Sequence, residues 1–275
     1  MANYTAADIK ELRERTGAGM LDVKKALDEA EGDKSKAQEL LRIKGLKGVT
    51  KREGRTTSNG LVVAQAEADV GTLVEVLCET DFVAKGEKFG ALADEVLAAA
   101  VASKATDAES LLAAPAGDKT VKELLDDANA TIGEKIEVKR VARVEAPQVS
   151  AYLHKTSPDL PAQIGVLLGT EGGDAQVARD VAMHIAAFSP NVLTRDEIDA
   201  DVVANERRIA EETAKEEGKP EAALPKIVEG RVNGFFKENV LLDQPFAKDS
   251  KKSVGKVLEE AGASATQFAR FRVGS

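Results

Sequence analysis

The first fifty residues alternate between apolar and polar positions with the spacing of three short helices. Thr5, followed three residues later by Asp8, has the pattern of a capping box that begins a helix. Gly17 and Gly19 interrupt this helix. The apolar positions of the three segments are Ile9 and Leu12, then Met20, Val23 and Leu27, then Ala37, Leu40 and Leu41. The pattern predicts a three-helix bundle, and the Gly-, Lys- and Thr-rich residues 45–60 predict a tether after it.

The rest of the chain contains the same succession of patterns twice. Each copy begins with an apolar run typical of a buried strand and continues with an Ala-rich run of helical spacing. A second helical segment and an extended, partly basic segment follow in each copy. The matching pairs are residues 73–77 with 164–168, 92–96 with 177–181, 119–128 with 252–261, and 136–140 with 268–272. We therefore expect two related halves, each a small antiparallel sheet with helices packed on one face.

The two copies differ at two places. The first copy has five extra residues between its strand and its helix, within residues 80–86. The second copy has an insertion at about residues 197–238, made of two charged segments that each carry one narrow apolar stripe. The sequence Gly-Lys-Pro at 218–220 separates the two segments. Because a single stripe can be buried only against its mate, we expect the insertion to form a helical hairpin.

These patterns predict an α+β fold in three parts. The N-terminal bundle and its tether occupy residues 1–55, and the first half of the duplicated core occupies residues 56–146. The second half, with the inserted hairpin, occupies residues 147–275. Only 4% of the residues are aromatic and none is Trp, so Ala, Val and Leu must fill most of the core.

Three features indicate a protein of a reducing compartment that does not enter a membrane. No apolar run approaches the ~20 residues that are needed to cross a bilayer. Residues 1–4 lead directly into a polar, helix-like segment, so we expect no signal peptide. Cys78 is the only cysteine and can form no internal disulfide. We expect a cytoplasmic protein with no membrane partner.

The net charge of −9 is distributed unevenly along the chain. Residues 1–55 carry 13 basic and 10 acidic side chains, a net +3, so the remaining residues carry −12. The basic excess lies in Lys44, Lys47, Lys51, Arg52 and Arg55. Such a stretch can contact RNA phosphates, but it lacks the interleaved aromatic residues that stack on bases. We interpret it as a solvated linker, and an RNA-binding or ribosome-associated module stays open as an alternative function.

The chain offers little that catalysis or metal binding requires. His184 lies in an apolar helical pattern, where a structural role is the simpler interpretation, and no Cys/His cluster has the spacing of metal ligands. Residues 17–22 lack the third glycine and the preceding strand of a dinucleotide loop, and no phosphate loop ending in Gly-Lys-Ser or Gly-Lys-Thr occurs. We expect no catalytic residue, no cofactor, no metal and no directly bound nucleotide. The alternative is an enzyme with a site at His154 and the acidic loops.

The residues Thr80-Asp81-Phe82-Val83 form the one unusual loop. They lie between a strand and a helix, at a point where the second copy has no counterpart. Phe82 can fold back onto the core, which needs its few aromatic residues. It can also be a hydrophobic anchor that is presented to a partner, with Asp81 fixing the approach. The pattern alone leaves both interpretations open.

Several separate segments, in the right order, resemble the bacterial elongation factor Ts family, the exchange factors of the translational GTPase elongation factor Tu. They are residues 12–20 (LRERTGAGM), 80–84 (TDFVA), 181–186 (VAMHIA), 227–231 (IVEGR) and 244–246 (QPF). The resemblance covers nearly the whole chain. It implies a small ubiquitin-associated-like bundle of three N-terminal helices, a two-part core and a coiled-coil hairpin.

The resemblance also implies where a partner binds. In the family, an Asp-Phe pair wedges between helices of the GTPase near its magnesium site. Asp81 and Phe82 match that pair, with Thr80 and Val83 beside them.

Further contacts are implied in the same way. An Ile-Gly pair in the family's core contact matches Ile132 and Gly133, and a histidine at the start of the second half matches His154. The N-terminal bundle of the family contacts the nucleotide domain of the GTPase, which indicates Met20 and Lys24. Some members have a C-terminal helical extension with no counterpart after residues 271–275, so none of its contacts is carried over.

The function implied by the resemblance is guanine-nucleotide exchange during translation elongation. The chain is expected to bind elongation factor Tu and to promote release of GDP by disturbing the magnesium and phosphate site. This activity needs protein binding and no bond chemistry. A nucleic-acid partner is disfavoured.

Overall fold

The computed structural model describes residues 3–275, apart from the side chains of residues 46, 47 and 50. Met1 and Ala2, which entered the signal-peptide prediction, lie outside the described residues, and so does the side chain of Lys47. Helices and sheets are both present, consistent with the predicted α+β class. Within the described range, no helix is long and apolar enough to cross a membrane.

Three helices form the N-terminal bundle: α1 (Ala6–Thr16), α2 (Met20–Glu29) and α3 (Lys34–Arg52). The predicted capping box begins α1, because the Asp8 N–H donates to Thr5 Oγ1 at 3.2 Å and the Thr5 N–H donates to the Asp8 carboxylate at 2.7 Å. Gly17 ends α1 with φ +68°, a conformation that favours glycine. The buried core of the bundle contains Leu12, Val23, Ala26, Leu27, Ala30, Ala37 and Leu41.

The first half of the core is built around an antiparallel sheet in the order β1-β2-β5. Its elements are β1 (Asn59–Glu67), β2 (Val70–Cys78), α4 (Asp81–Ala84), α5 (Glu87–Ser103), α6 (Ala108–Ala113), β3 (Pro115–Ala116), β4 (Lys119–Thr120), α7 (Val121–Ile132) and β5 (Glu137–Glu145). Helix α5 lies on one face of this sheet and buries Phe89 beside Val74 and Val76 of β2.

The second half is built around an antiparallel sheet in the order β10-β7-β6. Its elements are β6 (Gln148–His154), β7 (Ile164–Gly172), α8 (Ala175–Phe188), α9 (Ala200–Glu216), α10 (Leu224–Asn239), β8 (Pro245–Phe246), β9 (Asp249–Ser253), α11 (Val254–Glu260) and β10 (Ala263–Arg272). Short 3-10 turns lie at Arg195–Glu197, Glu221–Ala223 and Leu241–Asp243.

Both halves run in the same order after their central strand: a long helix, a two-stranded hairpin, a second helix and a sheet-edge strand. The second helix is capped alike in each, by Thr120 before α7 and by Ser253 before α11. The connections to the long helix differ. Residues 79–86, with α4, join β2 to α5, whereas only residues 173 and 174 join β7 to α8. The predicted insertion is therefore an extra helical turn in the first half.

The two sheets pack against each other through their faces that carry no helices. Leu73 of β2 and Leu167 of β7 are fully buried in one cluster with Val62, Val144 and Phe271. The contact is close, since a Cβ at Gly165 would lie 2.6 Å from Leu73 Cδ1. Each sheet is thus covered by helices on its outer face and by the other sheet on its inner face.

The tether prediction is wrong for residues 45–52, because α3 continues to Arg52. The helix packs on α7, and a Cβ at Gly45 would lie only 2.6 Å from the Cβ of Ala130. Gly45 therefore permits the close approach of α3 and α7, and α3 continues through it. Arg52 also donates to the Asn129 carbonyl at 3.2 Å, which ties the end of α3 to α7.

The described basic side chains of the predicted linker are largely exposed, as a solvated stretch requires, with 61% of the Lys44 side chain and 50% of the Arg55 side chain accessible. Arg55 contacts the Glu79 carboxylate at 3.2 Å, and Lys135 Nζ donates to the Arg55 carbonyl at 3.2 Å. Lys44 forms an ion pair with Asp22 of α2. These ion pairs are exposed and therefore weak, so they do not remove the basic side chains from solvent.

The insertion at about residues 197–238 is a helical hairpin, as predicted, with α9 and α10 packed on each other. Ala210 of α9 is buried with Val228, Val232 and Phe236 of α10. Only part of the apolar stripe on α9 is buried, because Ala210 and Ala214 are covered whereas Val202 and Ile209 are exposed. Ion pairs at the edges, Arg207 with Glu229 at 3.0 Å and Arg231 with Glu217 at 2.7 Å, also connect the two helices.

Candidate functional site

The connection between β2 and α5 presents Phe82 to solvent, with 84% of its surface exposed. Thr80 begins the single turn of α4, and its hydroxyl accepts from the Val83 N–H at 3.4 Å. Within this turn Val83 packs partly against the core of the first half and Ala84 is buried there. The turn therefore directs Phe82 outward while the next two residues fix it to the core. Of the two interpretations that the sequence left open, the structure favours the exposed one.

Asp81 lies beside Phe82 and is paired with Lys85 across the same turn. Lys85 Nζ approaches the Asp81 carboxylate to 2.7 Å, and this hydrogen bond lowers the pKa of Asp81 below its ordinary value. The pair is solvated, so it adds little to stability. The carboxylate of Asp81 is ionised at neutral pH, as that of an ordinary Asp is, so an ion pair lies next to the exposed aromatic ring.

The carboxylate of Glu134 connects this turn to the end of α7. Thr80 donates to it twice, from its hydroxyl at 2.6 Å and from its backbone N–H at 3.0 Å. The backbone N–H of Glu79 donates to it at 3.1 Å. Two predicted residues directly precede Glu134: Ile132 is half-buried, and Gly133 ends α7 with φ +84°. The Thr80–Val83 turn and the Ile132-Gly133 pair therefore belong to one hydrogen-bonded unit.

The start of α2 lies near the same unit. A Cβ at Gly17 would lie 2.4 Å from Thr131 Cγ2, so the loop between α1 and α2 rests on the last turn of α7. Met20 and Leu21 follow this loop and are 59% and 73% exposed. Lys24, one turn further along α2, is also exposed. The bundle thus exposes apolar and basic side chains in the first turns of α2, directly after the loop that contacts α7.

His154 is exposed at the end of β6, where its backbone pairs with Ile164. Its Nδ1 lies 3.1 Å from the Tyr152 hydroxyl. The hydrogen bond to Asp81 is the main cause of the raised pKa of Lys85, and the charge of Asp159, in the loop after His154, adds to it. The residues after His154 therefore approach the Asp81–Lys85 pair, although no contact joins His154 itself to Phe82 within the described part of the chain.

The other candidates for chemistry have structural partners. His184 is buried, its Nε2 lies 2.8 Å from Gln244 Oε1, and the Ala247 N–H donates to its Nδ1 at 3.2 Å. Burial lowers the pKa of His184, so it is a neutral structural histidine, as predicted. Burial also raises the pKa of Cys78 to about 12. Among the described residues no group of His, Cys, Asp and Glu side chains could hold a metal ion.

Two residues of this site, Glu134 and Lys85, were missed by the sequence analysis. Lys85 follows Asp81 at helical i,i+4 spacing, and that spacing is the signal that could have found it. Glu134 stands directly after the glycine that ends α7. The carbonyl end of a helix disfavours a negative charge, so a carboxylate at this position indicates a partner elsewhere in the fold.

Comparison with known proteins gives a consistent result over the whole chain. A family model described as elongation factor TS matches residues 79–275. The chain is 64% identical over 278 residues to the elongation factor Ts of Pseudarthrobacter chlorophenolicus, 65% identical over 278 residues to that of Renibacterium salmoninarum, and 62% identical over 278 residues to that of Micrococcus luteus. In each of these comparisons, 100% of both chains is covered.

Proposed function

The chain belongs to the elongation factor Ts family, and on that basis we propose that it is a guanine-nucleotide exchange factor for the translational GTPase elongation factor Tu. One observation supports this most directly: Phe82 is exposed on a turn that is anchored on both sides. An exposed aromatic ring on a rigid support is the form that a hydrophobic anchor takes at a protein–protein interface. A cytoplasmic site of action belongs to the same proposal.

The proposed mechanism is differential binding. A GTPase holds GDP through the backbone amides of its phosphate loop and through a bridging Mg²⁺. We propose that Phe82 wedges between helices of the GTPase and that Asp81 brings its negative charge to the magnesium site. A factor that binds the distorted, empty GTPase more tightly than the GDP-bound form weakens GDP binding by the same ratio. GTP then displaces the factor, and no bond is made or broken.

The proposed contact surface extends to both sides of Phe82. Ile132 and Gly133 adjoin the turn through Glu134. Met20 and Lys24 extend the surface over the bundle, which rests on α7. His154 extends it over the second half.

We also propose the division of the chain that the sequence predicted. Residues 1–55 form a ubiquitin-associated-like bundle that reaches the nucleotide domain of the GTPase. Residues 56–146 and 147–275 form the two halves of the core, with a coiled-coil hairpin in the second half.

A nucleotide-release experiment tests this function. Purified elongation factor Tu loaded with a fluorescent GDP analogue is mixed with excess unlabelled GDP, with and without the chain. We expect the chain to accelerate release and Phe82→Ala to remove most of the acceleration. Phe188→Ala is the control, since Phe188 is a half-exposed phenylalanine (51%) at the end of α8, outside the proposed surface. Because the Phe188 ring stacks on His184 at 4.6 Å, release is compared per folded molecule. Release at the intrinsic rate in the presence of the unaltered chain would overturn the proposal.

A further inference from the structure

Glu134 is the residue that ties the exposed turn to the rest of the first half. Its two carboxylate oxygens accept three hydrogen bonds, two from Thr80 and one from Glu79, at 2.6–3.1 Å. Resting on the function proposed above, we propose that Glu134 is a positioning residue, which sets the orientation of Phe82 before the GTPase binds.

The contact is reciprocal. While Glu134 accepts from the backbone of residues 79 and 80, the side chain of Glu79 accepts from the Lys135 N–H at 2.6 Å. Each chain segment therefore holds the backbone of the other through a carboxylate. Hydrogen bonds of this kind, from backbone N–H to an ionised group, are stronger than neutral ones. The end of β2 and the end of α7 are fixed to each other at the point where the Phe82 turn begins.

The turn needs such an anchor because α4 has only four residues. A helix of one turn is not stable by itself, since nucleation fixes several residues for a single hydrogen bond. Val83 and Ala84 hold its far side against the core, and Glu134 holds its near side. A pre-oriented anchor binds more tightly, because the segment does not lose conformational entropy when the partner binds.

The second half of the chain supports a specific role for Glu134. Helix α11 corresponds to α7, and residues 262–267 of the second half lie between the matching segments where the first half has residues 129–135. The stretch 262–267 has the sequence GASATQ and contains no Asp or Glu, whereas the first half has Glu134 there. The second half also lacks the extra helical turn, because residues 173 and 174 alone join β7 to α8. The carboxylate is therefore present in the half that has the turn to anchor and absent from the half that has none.

The variant Glu134→Gln keeps the shape of the side chain but replaces one accepting oxygen with an NH₂ group. Its matched control is Glu123→Gln at the other end of α7. That carboxylate accepts from Thr120 in the same way, at 2.9 Å from the N–H and 3.0 Å from the hydroxyl, far from the Phe82 turn in sequence. Urea unfolding of both variants provides a measure of what each carboxylate contributes to the fold.

The first measurement is the Kd for nucleotide-free elongation factor Tu. It is made for each variant alone and for each variant combined with Phe82→Ala. We expect Glu134→Gln to raise the Kd about tenfold in the unaltered chain and less than twofold in the Phe82→Ala background. Glu123→Gln should leave the Kd unchanged in both. An equal effect of Glu134→Gln in the two backgrounds would show that it does not act through Phe82 and would overturn the proposal.

The second measurement does not depend on the GTPase. The chain has no Trp, so Phe82→Trp introduces a single Trp, and its selectively excited fluorescence anisotropy reports the mobility of the turn. We expect Glu134→Gln to lower this anisotropy and Glu123→Gln to leave it unchanged. Unchanged anisotropy in Glu134→Gln would contradict the positioning role. If instead the unaltered chain does not bind elongation factor Tu, the proposed function fails while the anisotropy still decides the role of Glu134.

Discussion

The substitution Phe82→Ala tests whether Phe82 serves the binding of a partner or the stability of the fold. Only about a sixth of the Phe82 surface is hidden in the free chain, since 84% of it is exposed. For a side chain that presents about 200 Å², the hidden part is about 30 Å². At ~25 cal/mol per Å² this corresponds to ~0.8 kcal/mol of unfolding free energy. We therefore expect Phe82→Ala to lower stability by less than about 1 kcal/mol.

Phe89, in the helix that follows this connection, provides the contrast. It lies at the start of α5, is 1% exposed and packs in the core of the first half. Truncation of a fully buried phenylalanine to alanine costs ~3–5 kcal/mol. Urea unfolding of Phe89→Ala should therefore show a loss several times larger than that of Phe82→Ala.

The effect on nucleotide release should have the opposite order, large for Phe82→Ala and small for Phe89→Ala. Loss of one central interface anchor costs ~2–4 kcal/mol, which slows release about thirty- to a thousand-fold if the whole cost is felt in the exchange transition state. Release is followed with a fluorescent GDP analogue, at concentrations corrected for the folded fraction of each variant. Phe89→Ala should retain its activity per folded molecule. A Phe82→Ala protein that is strongly destabilised but promotes GDP release normally per folded molecule would refute this reasoning. Phe82 would then serve the core of the fold.

Other predictions follow from the bundle, the hairpin and the buried histidine. Deletion of residues 1–50 should leave the sheets folded by circular dichroism but slow GDP release, and unchanged release would contradict a contact through the bundle. Replacement of residues 203–236 by a short loop should preserve the fold, because the hairpin buries its apolar stripe mainly against itself; an insoluble product would show that it belongs to the core. Burial lowers the pKa of His184, so as the pH falls below about 6.5, the ordinary value, the unfolded chain takes up the proton first and stability decreases. The urea concentration at the unfolding midpoint should decrease when the pH is lowered from 7.5 to 5.5. The decrease should be smaller in His184→Gln than in His154→Gln, and equal decreases in the two variants would contradict a lowered pKa of His184.

The sequence predicted those features that local spacing determines. The capping box at Thr5 and Asp8 is present because its two partners are three residues apart. The hairpin was found because each helix carries its own stripe. Gly17 was correctly interpreted as a helix end, since its backbone adopts a positive φ.

Features that depend on distant parts of the chain were not predicted. Gly45 was interpreted as the first residue of a tether, yet it lies inside α3, where the absence of a side chain lets Ala130 approach. A glycine for close packing and a glycine for a turn look alike in a sequence. The hydrogen bonds from Thr80 to Glu134 join residues on two different elements, and no local pattern connects them. The exposure of Phe82 likewise required the fold, because the sequence left open whether this scarce aromatic residue is buried in the core or presented to a partner.

The most direct test of the proposed function is the thermodynamic coupling between GDP and the chain on elongation factor Tu. The Kd of GDP is measured with and without saturating chain, and the Kd of the chain is measured with and without saturating GDP. The account predicts that each ligand weakens the other, and by the same factor, as linkage requires. An unchanged GDP affinity, with the chain bound equally well to the empty and the GDP-bound GTPase, would contradict it.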